Sequence, residues 1–145
     1  DYIGKPAPDF IGTDDKGKKQ APGYFKGFRN LIILFWSPGC PHCRRELPQV
    51  MNYYKRYADK QDTEVITVLL DNADKSKSAA KDFFNMYGIK FPIIGNENNK
   101  ITDAYNVNSV PTAFFVDKKG IVRDVFIGEM SLAGDMFKCA VNKLK

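Results

Sequence analysis

Leu31-Ile32-Ile33-Leu34-Phe35-Trp36-Ser37-Pro38-Gly39-Cys40-Pro41-His42-Cys43 holds a strand, a break and the start of a helix in thirteen consecutive residues. Six apolar residues in a row read as a central strand buried on both faces. Ser37-Pro38-Gly39 ends it. Pro41 suits the first turn of a helix, where its missing N–H costs nothing. Leu47, Val50, Met51, Tyr54 and Ala58 then fall on one apolar stripe, predicting a helix from Pro41 to about Asp59 with Pro48 kinking it.

The same reading extends outward. Residues 1–29 are rich in Gly, Pro and Lys and predict a short irregular strand pair around the turn Asp14-Asp15-Lys16-Gly17. Val65 to Leu70 reads as a second buried strand. Ala80, Phe83, Phe84 and Tyr87 give the stripe of a second helix, ended by Gly88. A short extended piece at Phe91–Ile94, a brief helix near Lys100–Tyr105, and a hairpin of Thr112–Val116 with Ile121–Ile127 follow. Ser131 is placed to cap a last helix, with Ala133, Met136, Phe137, Ala140, Val141 and Leu144 facing the core. Strand, helix, strand, helix, hairpin, helix is an α/β order: parallel pairing through crossovers, plus an antiparallel edge.

Composition sets the outer limits. The chain has 145 residues, 43% apolar and 27% charged, which fits one globular domain spanning 1–145. No apolar run approaches the roughly 18 residues of a membrane span. The net charge of +5 is spread over the chain rather than gathered in a basic stripe, which argues against a nucleic-acid partner.

Chemistry concentrates at Cys40-Pro41-His42-Cys43. Three cysteines are too few for a disulfide framework, and two of them at C-x-x-C spacing point to redox or metal chemistry. A structural zinc site needs four ligands, and only Cys139 remains elsewhere to supply one. Copper(I) suits soft thiolates and stays as a rival. The redox reading is the stronger. Cys40 stands where a helix N-terminus presents its free N–H groups, which favours a thiolate there. Cys43 lies one turn inward and is shielded. Cys40 is therefore the candidate nucleophile, and Cys43 the thiol that resolves the mixed disulfide. His42, the only histidine, is a candidate tuner of Cys40, together with Pro41. Cys139 lies near the edge of the last helix's apolar stripe and reads as a small, half-buried residue.

These features resemble the thioredoxin superfamily, and within it the TlpA/ResA/DsbE-like thiol–disulfide oxidoreductases, an AhpC/TSA–redoxin-like group. Phe35-Trp36-Ser-Pro-Gly-Cys40-x-x-Cys43 with Arg45-Glu46-Leu47-Pro48 is similar to the group's active-site strand, motif and helix. Val110-Pro111-Thr112 and Phe115-Val-Asp-Lys-Lys-Gly120 resemble its cis-proline loop and following hairpin. The likeness covers nearly the whole chain. It implies a thioredoxin-like α/β fold: a central mixed β-sheet flanked by helices, TlpA-type N-terminal strands, and a central insertion over roughly residues 72–108. It implies that Val110-Pro111 is cis and shapes a substrate groove with Trp36. It implies a monomeric enzyme that exchanges disulfides with client thiol proteins, apocytochrome c among them, and with an upstream redox partner. It also implies a periplasmic or otherwise extracytoplasmic site of action, with a membrane tether outside these residues. No organic cofactor and no metal is implied; the dithiol is the redox group.

Two departures stand out. Leu34 occupies the position where thioredoxin carries a buried Asp, so another proton acceptor is needed. Asp71 and Asp74, after the second strand, are the candidates. The dipeptide Pro41-His42 is like that of the disulfide-donating DsbA proteins, whereas the scaffold is like that of reductants. The scaffold favours a reductant; a disulfide donor is the alternative. A peroxiredoxin-like peroxidase fits less well, because Ser-Pro-Gly-Cys40 lacks the Thr that such an enzyme would place before its cysteine. A copper chaperone of this fold would need a distant His, and none exists beyond His42.

Overall fold

The computed structural model describes residues 1–58, 61–130 and 135–145. The apolar run becomes β3 (Asn30–Trp36), buried at every position. It pairs in parallel with β4 (Thr63–Leu69) on one side and antiparallel with β6 (Thr112–Val116) on the other. β5 (Ile93–Ile94) extends the sheet in parallel beyond β4, and β7 (Val122–Ile127) closes the hairpin beyond β6. The five-stranded order is β5-β4-β3-β6-β7, a mixed sheet with the buried run at its centre. Such a position explains the unbroken apolar pattern, since both faces of β3 need cover. The N-terminal pair is a separate hairpin of β1 (Gly12–Thr13) and β2 (Lys19–Gln20).

The register of β3 divides the interior in two. Ile32, Leu34 and Trp36 face one layer, built with α1 (Pro41–Tyr53), α2 (Asp74–Tyr87) and α4 (Asp135–Asn142). Leu31, Ile33 and Phe35 face the other, where Tyr105 and Phe114 meet Ile101 from α3 (Lys100–Ala104). This second layer is an aromatic cluster: Tyr105 and Phe114 pack edge to face with centroids 4.9 Å apart, and Phe35 lies 5.6 Å from Tyr105.

Several expectations change in detail. The first helix is α-helical only to Tyr53 and continues as a π-helical turn over Tyr54–Ala58; Asp59 lies outside the described residues. Tyr87, expected on the buried stripe of α2, is 52% exposed, because it is the final residue of the helix; Gly88 then takes a left-handed φ of 66°. Met136 is 37% exposed, whereas Phe137, Ala140, Val141 and Leu144 are buried. Those four repeat at i, i+3, i+4 and i+7, and Met136 sits on the flank of that stripe. Cys139, expected half-buried, is exposed. Ser131 and Ala133 lie outside the described residues.

Candidate active site

Cys40 is the N-cap of α1, with extended backbone at φ −90° and ψ 115°. The Cys43 N–H donates to Cys40 Sγ at 3.2 Å. An N-cap satisfies one of the free N–H groups of a helix start, and here the acceptor is sulfur. The same geometry stabilises negative charge on Cys40. Cys40 is half-buried, and Cys43 is fully buried in the layer beneath α1. Both are free thiols in the structure. Burial, above all, pushes the Cys43 thiol well above the usual thiol range, and the neighbouring Cys40 adds to it. One thiol meets solvent at a helix start, and the other is held protonated inside.

The loop before β6 supplies the opposite wall. Val110-Pro111 is a cis peptide, and the Val110 carbonyl lies 3.8 Å from Cys40 Sγ. Pro111 is buried and Val110 half-buried. On the far side of this loop a depression of about 520 Å³ opens between Tyr2, Ser109, Thr112, Val125 and Ile127.

Trp36 does not line a groove. It is fully buried, stacked on Phe84 at 4.9 Å with planes 4° apart, because the even positions of β3 point into the helical layer. It supports the site from below. Pro41 is exposed at the first position of α1.

His42 is exposed and turned to Glu129 and Arg45. Its Nδ1 lies 2.9 Å from Glu129 Oε1 and 2.7 Å from an Arg45 terminal nitrogen. A protonated Nδ1 donates to the carboxylate, and an unprotonated one accepts from the guanidinium. Arg45 also donates to Glu129 Oε1 at 3.2 Å. Glu129 is held below the usual carboxylate range, chiefly by its hydrogen bond with His42.

Asp71 and Asp74 are exposed at the start of α2. Asp71 accepts from the Ala73 N–H and the Ser76 hydroxyl, and no described hydrogen bond joins either residue to the cysteines. The carboxylate whose field reaches Cys43 is Glu46 instead. Glu46 is buried at 4% exposure, and its Oε1 accepts from the Met130 N–H at 2.7 Å. Burial pushes its carboxyl up to about 7, opposed by that hydrogen bond and assisted by Glu129. Sequence reasoning passed over Glu46, although the signal was present. It stands three residues after Cys43 on the stripe that holds Cys43, Leu47 and Val50. Glu129 gave no such signal, being 87 residues from His42.

Among the described residues, no group of three or more His, Cys, Asp or Glu side chains converges as a metal site. No helix among them is long and apolar enough to cross a membrane.

Residues 3–125 match the AhpC/TSA family. The thiol–disulfide oxidoreductase ResA of Bacillus thuringiensis (strain Al Hakam) is 38% identical over 129 residues, 89% of this chain and 72% of that protein. ResA of Bacillus subtilis (strain 168) is 33% identical over 128 residues, 88% and 69% of the two chains. Among solved structures, StoA from Bacillus subtilis superposes with a TM-score of 0.74 at 25% identity, covering 92% of this chain and 96% of its own. MTB dsbF, solved in its mixed oxidized and reduced forms, gives 0.78 at 27% identity, covering 94% and 95%. Paired cysteines at a helix start, a cis-proline wall and relatives of this kind lead to one conclusion: the chain belongs to the AhpC/TSA family, as a thiol–disulfide oxidoreductase of the ResA type.

Proposed function

We propose that the protein works as an extracytoplasmic reductant of client disulfides, with Cys40 as nucleophile and Cys43 as resolving thiol. The observation that carries the direction is the ResA-type scaffold, which the chain shares over 89% of its length and which resembles that of reductants. Cys43 is fully buried and its thiol stays protonated at neutral pH, which suits the resolving role.

The exchange runs in two displacements. The Cys40 thiolate attacks one sulfur of a client disulfide; that S–S bond breaks, a Cys40–client mixed disulfide forms, and the other client sulfur leaves as a thiolate. The Cys43 thiol then loses its proton to the Glu46 carboxylate and attacks Cys40 Sγ. The mixed disulfide breaks, the Cys40–Cys43 disulfide forms, and the second client sulfur leaves. Two electrons pass to the client, and an upstream dithiol partner restores the pair. Glu46 suits its part because its proton affinity is near neutrality and it stands one helical turn after Cys43, buried on the same helix and near enough for its charge to act on that thiol. The Val110–Pro111 wall positions the client chain against Cys40. The dithiol is the redox group, without an organic cofactor or metal. Client thiol proteins are the kind of partner that the ResA likeness supports; apocytochrome c as one of them, and an extracytoplasmic site of action, are part of the proposal.

The reduction potential of the Cys40–Cys43 pair tests the direction, with Cys139 replaced by Ala and Trp36 fluorescence as reporter. A value near about −270 mV fits a reductant, and one near about −120 mV refutes that direction in favour of a disulfide donor.

A further inference from the structure

Three consecutive residues after β7 touch three separate parts of the site. The Gly128 N–H donates to the Pro111 carbonyl at 2.8 Å. Glu129 Oε1 meets His42 and Arg45. The Met130 N–H donates to Glu46. Only the middle one brings a charge. The Glu129 side chain is 17% exposed, against 62% for His42 and 55% for Arg45. The carboxylate is thus the least exposed member of the trio, and the two basic side chains reach it from α1.

Charge near Cys40 alters the redox balance, because the reduced form carries the thiolate and the disulfide does not. A cation or an N–H donor beside the thiolate stabilises the reduced form and makes the disulfide a stronger oxidant. An anion does the reverse. His42 and Arg45 on α1 are the nearby basic groups on the helix face that Glu129 covers, and Glu129 and buried Glu46 are the carboxyl groups. Arg44 is turned aside, donating to the Pro38 carbonyl and lying over the Phe83 ring.

We propose that Glu129 is a positioning residue for the exchange reaction: by holding the His42 imidazole it withdraws that group from Cys40 and keeps the pair reducing despite its Pro41-His42 dipeptide. This rests on the redox reading above and deepens it, by naming the residue that governs where His42 lies. No proton or electron passes through Glu129.

The test is a double-mutant cycle on the exchange equilibrium with glutathione at pH 7, in a Cys139→Ala background. Glu129→Gln shifts the equilibrium toward the reduced protein about tenfold, a rise of about 30 mV for a two-electron couple. In a His42→Gln background the same change moves it less than about threefold, because the imidazole to be released toward Cys40 is gone. Glu129→Asp keeps most of the wild-type value. Glu129→Ser, measured likewise, shifts it in the same sense as Gln and stands in should Glu129→Gln fold poorly. A shift below about threefold in the wild-type background, or one that persists at full size without His42, overturns the proposal. The wild-type potential alone reads the direction of the enzyme, so a donor-like value refutes that direction and leaves the variant difference to decide on Glu129.

Discussion

The two faces of the sheet hold very different cargoes. The face with Leu31, Ile33 and Phe35 is closed by Tyr105, Phe114 and Ile101 in an aromatic cluster. The face with Ile32, Leu34 and Trp36 is equally dry, yet it carries Cys43 and Glu46 below 5% exposure. One strand, alternating side by side, serves both. The aromatic face holds the fold, whereas the helical face accepts two ionisable groups whose burial costs stability and sets reactivity.

The sharpest break of that contrast is at the cysteine itself. Cys40→Ser lowers disulfide reduction by at least about 10³-fold, read by turnover of a disulfide-containing protein substrate, while leaving the unfolding midpoint close to wild type. On the aromatic face the pattern reverses. Phe114→Ala costs about 3–5 kcal/mol in urea unfolding and leaves the reduction potential unmoved. An equal change in potential would show that the faces are coupled.

Glu46 sharpens the comparison through pH. Its carboxyl stands at about 7 in the folded chain against an ordinary 4.5. The folded protein therefore keeps a proton that the unfolded chain has lost, and stability declines as pH rises through that window. The loss totals about 3 kcal/mol and is complete above the folded value. Glu46→Gln keeps an acceptor for the Met130 N–H and abolishes this component, so urea unfolding of the variant is flatter between pH 5 and 8. A parallel decline in the variant would place the ionisation elsewhere. The smallest effect belongs to Lys143, which donates to Asp124 at 2.7 Å and ties the C-terminal residues to β7. Lys143→Met costs about 1 kcal/mol, measured by the same unfolding.

Much of this was legible in the chain. The run from Leu31 to Trp36 announced the central strand because both of its faces are covered, and the C-x-x-C lay where a helix had to start. What escaped depended on chain segments meeting from afar. Glu46 reads as one charge among Arg44, Arg45 and Glu46 until the Met130 N–H arrives to satisfy it. The orientation of His42 needs Glu129, which enters from the loop after β7. Asp71 and Asp74 had sequence position in their favour, but the first serves the start of α2 and the second begins it. Periodicity also ran too far at Tyr87, where the stripe outlasts the buried part of the helix.

The junction after β7 has a consequence for how such a chain tolerates change in length. Gly128, with a φ of 97°, turns the backbone so that its own N–H, the next side chain and the following N–H reach three different targets. Each contact is counted from the last residue of the strand. Inserting or deleting one residue there leaves every side chain of the site intact in name and puts the contacts out of step together. The constraint on this segment is therefore one of spacing: substitutions at Glu129 retune the enzyme by degrees, whereas a change in residue number dismantles the arrangement at once.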